Sequence, residues 1–98
     1  MSKIKLYHVD EFTGRENKNA DHHFVFEFDS PEIGKGAAEL AFHITNAPFD
    51  LLDEKEKEIS KQYRALRVRS LSVGDFVVVE GKEIQEKFLC ASCGWKTV

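Results

Sequence analysis

Cys90-Ala91-Ser92-Cys93 has the two-residue spacing used by thiol redox motifs and by one half of a tetrahedral zinc site. A structural zinc ion needs four ligands, yet the chain has no second such pair, and the other possible ligands are His8, His22, His23 and His43. His22 and His23 are adjacent, so on a strand they point to opposite faces and do not converge on one ion. A redox pair usually sits at a helix N-terminus, which lowers the thiol pKa, whereas this pair ends a predicted strand. Cys90 and Cys93 are therefore weak metal candidates, and no cofactor is expected. The histidines lack a serine or cysteine in a recognisable nucleophile turn, and Gly34-Lys35-Gly36 lacks the spacing of a phosphate-cradling loop. On these grounds the sequence predicts a protein that is not an enzyme.

Charge offers a second kind of chemistry. Lys61, Arg64, Arg67 and Arg69 surround Tyr63, and Lys61 and Arg64, three residues apart, share a helix face that can meet a phosphate backbone. The same cations are favoured at a helix C-terminus without any ligand. Residues 1–60 carry 13 acidic and 7 basic groups, residues 61–98 carry 4 acidic and 7 basic, and the net charge is −3. That balance argues against a dedicated DNA-binding protein. Asp50, Asp53, Glu54, Glu56 and Glu58 interleave with Lys55 and Lys57, a pattern of pairs along a helix rather than an acidic mimic of DNA.

The elements that would position these groups follow from periodicity. Residues 3–9 alternate Ile4, Leu6 and His8 with Lys5, Tyr7 and Val9, as a half-buried strand does. Residues 10–21 are polar and contain Gly14, and read as a loop or hairpin tip. Residues 22–30 form a second predicted strand with Phe24, Phe26 and Phe28 on one face. Ser30-Pro31-Glu32 reads as a helix start, and Ile33, Ala37, Leu40, Ala41 and Ile44 recur at helical spacing until Asn46 and Pro48 end the helix. Asp50 is the expected cap of a second helix running to about Leu66, with Leu52, Ile59, Tyr63 and Leu66 as its apolar stripe. Phe76 to Val79 and Lys87 to Ala91 complete the pattern as a hairpin.

The expected fold is thus α+β in the order β-β-α-α-β-β: a four-stranded, mainly antiparallel sheet with two helices on one face. With 98 residues there is room for one domain, 1–98. No apolar run approaches the length needed to span a bilayer, and the first residues lack a secretory signal, so a cytoplasmic protein without a membrane partner is expected.

Residues 63–79, YRALRVRSLSVGDFVVV, together with Gly94-Trp95, resemble a family of small uncharacterised proteins of bacteriophages, plasmids and actinobacterial mobile elements. The same pattern is similar to the YodL-like domain of large polyvalent proteins in mobile elements. The resemblance covers the last third of the chain and rests on Arg69, Ser70, Leu71, Ser72, Val73, Gly74 and Asp75; Cys93 is not part of the pattern. It implies a setting, a phage or mobile element, and no activity.

Two readings of this motif compete. In the structural one, the serines and Asp75 satisfy turn amides, Gly74 takes a positive φ, and Leu71 and Val73 anchor the turn. In the functional one, Arg69, Ser70, Ser72, Asp75 and Trp95 form a polar surface with one aromatic anchor, a composition found at binding hot spots. The leading expectation is a non-enzymatic interaction module that binds a host or element protein. A nucleic-acid-binding accessory using Lys61, Arg64, Arg67 and Arg69, and a small zinc domain, are the alternatives. An exposed edge strand also leaves a homodimer open.

Overall fold

The computed structural model describes residues 2–92 and 94–98. The chain begins with β1 Ser2–Val9, β2 His22–Ser30 and α1 Gly34–Asn46. A 3-10 turn at Phe49–Leu51 leads into α2 Glu54–Ala65, which is followed by β3 Phe76–Glu80, β4 Gln85–Ala91 and β5 Gly94–Thr97. The strands form one antiparallel sheet in the order β2-β1-β3-β4-β5.

The α+β class and both helices agree with the periodicity, but the sheet has five strands instead of four, and the order is β-β-α-α-β-β-β. The additional strand, β5, has only four residues, too few for alternation to register. Pairing defines it, with Phe88 opposite Thr97 and Cys90 opposite Trp95.

Alternate strand positions build the core. Ile4 and Leu6 of β1, Val77 and Val79 of β3 and Phe88 of β4 meet Ala37, Ala41 and Ile44 of α1 and Tyr63 of α2. The three alanines of α1, Ala37, Ala38 and Ala41, are fully buried, so the helix backbone lies close to the sheet. Helix α2 joins through Tyr63 and through the buried Ser60, whose hydroxyl donates to the Ile44 carbonyl at 3.2 Å.

Three local expectations are corrected. The three phenylalanines of β2 do not share a face. The register slips between Leu6 and Tyr7, leaving Val25 as an extra residue, so Phe26 lies opposite Leu6 but Phe24 lies opposite Tyr7. Phe24 is therefore on the face away from the helices, edge-on to Tyr7 with ring centroids 5.7 Å apart. Helix α1 starts at Gly34 with Ile33 as its N-cap, and Ser30 instead accepts from the Glu32 amide at 3.2 Å. Helix α2 is capped by Asp53, not Asp50. Asp53 accepts from the Glu56 amide at 2.8 Å while Glu56 accepts from the Asp53 amide at 3.0 Å. A carboxylate with a glutamate three residues on closes both ends of the box, and Asp50 has no such partner at position 53.

Candidate functional site

Arg69 to Asp75 runs from the end of α2 to the start of β3, and its geometry is set by one carboxylate. Asp75 is fully buried. Arg69 approaches it with both terminal nitrogens, Nη1 to Oδ2 at 2.6 Å and Nη2 to Oδ1 at 2.7 Å. The Val9 amide donates to Oδ1 at 3.0 Å and the Ser72 amide to Oδ2 at 2.8 Å. Four donors from β1, the turn and the connection thus converge on two oxygens, which is how a carboxylate tolerates burial. Hydrogen bonding to Asp75 in turn holds the Arg69 guanidinium above its ordinary pKa.

The backbone of the turn is fastened to its neighbours as well. Leu71, fully buried, donates its amide to Thr45 Oγ1 at 3.3 Å, and Asn46 Nδ2 donates to its carbonyl at 3.0 Å, so the end of α1 grips the motif. Gly74 donates to the Cys90 carbonyl at 2.9 Å, and the Cys90 amide donates to the Asp75 carbonyl at 2.9 Å. Gly74 has φ +99°, and a Cβ there would stand 2.8 Å from the Arg15 carbonyl oxygen, so the 10–21 loop can close on this turn only over a glycine.

Beneath the turn lies a second polar chain. Tyr63 donates its hydroxyl hydrogen to the Arg69 carbonyl, which can only accept, so the His8 Nε2 contact to the same hydroxyl at 3.0 Å requires hydrogen on Nε2. Burial dominates both groups: the His8 pKa is lowered to about 4, and that of Tyr63 is pushed up to about 12. His8 is neutral at pH 7 and the phenol keeps its proton. No buried side-chain polar atom among the described residues lacks a partner.

The structure divides the motif residues by role. Arg69 and Asp75 face each other instead of solvent, Ser70 offers its carbonyl to Arg69 Nη1 at 3.2 Å, and the Ser72 hydroxyl donates to the Ser70 carbonyl at 3.4 Å. Trp95 sits on β5, half-buried, with its ring edge-on to Phe42 of α1 at 6.4 Å. Between these points lies a surface cleft of about 330 Å³ whose apolar wall is formed by Phe12, Phe42, Leu71, Val73, Cys90 and Ala91. Phe12 is 55% exposed and its ring lies 4.7 Å from the Arg69 guanidinium, while Phe42 is 38% exposed. The Arg69 guanidinium that pairs with Asp75 thus also lies over an aromatic ring from the 10–21 loop. A larger groove, about 460 Å³, lies between Ile33 and Ile84 and contains none of the candidate binding or metal residues named from the sequence.

The four cations near Tyr63 do not form one patch. Arg64 turns back to its own domain, Nε to Ser60 Oγ at 2.8 Å and Nη2 to the Ala47 carbonyl at 3.2 Å, with Phe49 beneath it. Arg69 is directed at Asp75, while Lys61, Arg64 and Arg67 are all exposed, Arg64 with its guanidinium engaged as above. Arg67 takes φ +56° just past the helix end, a position usually held by glycine. Cys90 is buried and its thiol pKa is pushed up to about 11, first by burial and then by Asp75, so it resists becoming a thiolate. Cys93 lies outside the described residues, and among the described residues no group of three metal-ligating side chains converges. Helices long and apolar enough to cross a membrane are also absent among the described residues.

Sequence reasoning missed Phe12, Phe42 and His8 as members of this region, and read Tyr63 as part of the apolar stripe of α2 amid the cations and as the first residue of the resembling stretch. Phe12 alone carried a signal, as the single large apolar side chain in a polar loop. No family model matches the chain, and no curated protein or solved structure matches it.

Proposed function

We propose that this domain is a non-enzymatic protein-interaction module whose contact surface is the cleft between Phe12, Phe42 and Val73. One observation carries the reading: two exposed aromatic rings flank an apolar wall that the Asp75 turn holds in place. Aromatic residues dominate interface energetics, and Phe42, held on α1, loses little conformational freedom on binding. In this reading Arg69, Ser70, Ser72 and Asp75 support the surface, and Trp95 supports Phe42 from behind. The resemblance of residues 63–79 to mobile-element proteins supports a host or element protein as the partner.

The test is affinity capture of the tagged chain from a nuclease-treated bacterial lysate, run beside Phe12→Ala and Lys61→Ala/Arg67→Ala variants. A stoichiometric protein captured by the parent and the cation variant, but weakened roughly 30-fold by Phe12→Ala as expected of a hot spot, fits the proposal. Capture that depends on the cations and vanishes with nuclease would replace it with nucleic-acid binding.

A further inference from the structure

The 10–21 loop, which carries Phe12, is closed at its base by His22 and His23, and the contacts of His22 differ from those of an ordinary neutral ring. His22 places Nδ1 2.8 Å from the Ala20 carbonyl oxygen and Nε2 2.6 Å from the Gly74 carbonyl oxygen. Both oxygens are acceptors only, and a neutral imidazole has a single N–H. The two hydrogen bonds coexist only when both ring nitrogens carry hydrogen. The ring is fixed in this position by stacking on Phe76, with centroids 3.9 Å apart and planes within 21°. One residue further on, His23 Nδ1 lies 2.7 Å from Asp10 Oδ1, and the Asp10 amide donates to the Asp21 carbonyl at 2.8 Å.

We infer that His22, assisted by His23, is a proton-operated clamp: protonation ties the base of the 10–21 loop to the Gly74 turn, and loss of the proton loosens it. The loop also passes close to Gly74 at Arg15, whose carbonyl oxygen a Cβ on Gly74 would meet at 2.8 Å. Closure sets where Phe12 lies on Arg69, so the clamp governs how well the cleft is formed. That last consequence rests on the proposed function, whereas the clamp itself concerns the isolated chain.

Several charged and titratable groups surround the clamp. Lys18 and Asp21 come from the loop, Tyr7 from β1 and Lys87 from β4; Lys87 Nζ stands 4.0 Å from the centre of the Phe76 ring. Asp75, next to Gly74, is turned inward to Arg69, and Asp10 answers His23. His8, 6.2 Å from His23 between ring centres, stays neutral down to about pH 4 and does not take part across the range that matters.

Nitrogen-15 NMR of the histidine rings, combined with amide exchange between pH 8 and 5.5, tests the clamp on the protein alone. On acidification His22 should show two N–H nitrogens, and protection of the Asp10 amide, corrected for its intrinsic rate, should rise about tenfold, the yield of one charge-assisted hydrogen bond. The His22→Phe variant, which keeps the stacking, should lose most of that rise. A His22 ring with a single N–H at pH 5.5 while the loop stays protected would overturn the inference, as would an unchanged rise in His22→Phe. If the clamp holds but Phe12→Ala leaves partner capture intact, the proposed function fails and the clamp stands.

Discussion

The Asp75 turn and the 10–21 loop touch at Gly74, and both are polar connections between strands or helices, yet they are opposite in construction. In the turn a charged residue is sealed from water with four donors, two of them backbone amides from separate segments. In the loop, residues 10–19 are all exposed, and its links among the described residues include Asn19 to Asn17 at 3.0 Å, Ala20 to Asn17 at 3.2 Å, Glu16 to Lys96 at 2.9 Å, Phe12 on Arg69, and the base with its histidines. Polarity alone does not make a segment mobile or rigid. The difference lies in how many partners other elements bring to it, because each buried polar group must be answered and each exposed one can be answered by water.

The strongest way to break this contrast is to remove the buried carboxylate. Asp75→Ala leaves the Arg69 guanidinium and the Val9 and Ser72 amides without their acceptor, and should cost about 3–5 kcal/mol of unfolding free energy in urea titrations. A loss below about 1 kcal/mol would mean that the turn resembles the loop after all.

Next in size is acid. His8 is neutral in the fold, with its pKa lowered to about 4 by burial, against an ordinary value of 6.5. The unfolded chain therefore binds the proton first as pH falls, so the stabilisation is whole above pH 6.5 and is lost between 6.5 and 4. The linkage amounts to about 3 kcal/mol. Denaturation midpoints across this range should fall in the parent and flatten in His8→Gln, and a parent without the slope would show that the ring is hydrated.

At the junction itself, Gly74→Ala meets both a positive φ and the Arg15 carbonyl, and should cost about 1–3 kcal/mol. Exchange at the Asp10 amide should accelerate more than exchange in β3, since the loop has to lift away. Equal acceleration in both would show that turn and loop form one unit. The smallest effect is Phe12→Ala, which removes an exposed ring and should change stability by no more than about 0.5 kcal/mol. A larger loss would make Phe12 a part of the turn's scaffold instead of its surface.

Much of the fold was legible in local pattern. Alternation located β1 and β2, helical spacing located α1 and α2, and the β-branched run located β3, because each has enough residues on one face for burial to leave a period. What stayed hidden involved partners distant in sequence. The slip at Val25 that sends Phe24 to the open face is a property of β1 and β2 together. Strand β5 exists through β4. The cations around Tyr63 share a stretch of sequence, but Ser60, Ala47 and Asp75 draw two of them away.

For the candidate site the division is similar. The chain by itself determined that a positive-φ glycine, an anchoring leucine and a capping aspartate would make the Arg69–Asp75 turn, because those are demands of local backbone geometry. Only the tertiary structure decided that Asp75 would be buried, that Arg69 would turn inward, and that Phe12 and Phe42 would flank the cleft. Those outcomes depend on which donors and rings arrive from β1, α1 and the 10–21 loop, and no spacing within the motif encodes their arrival.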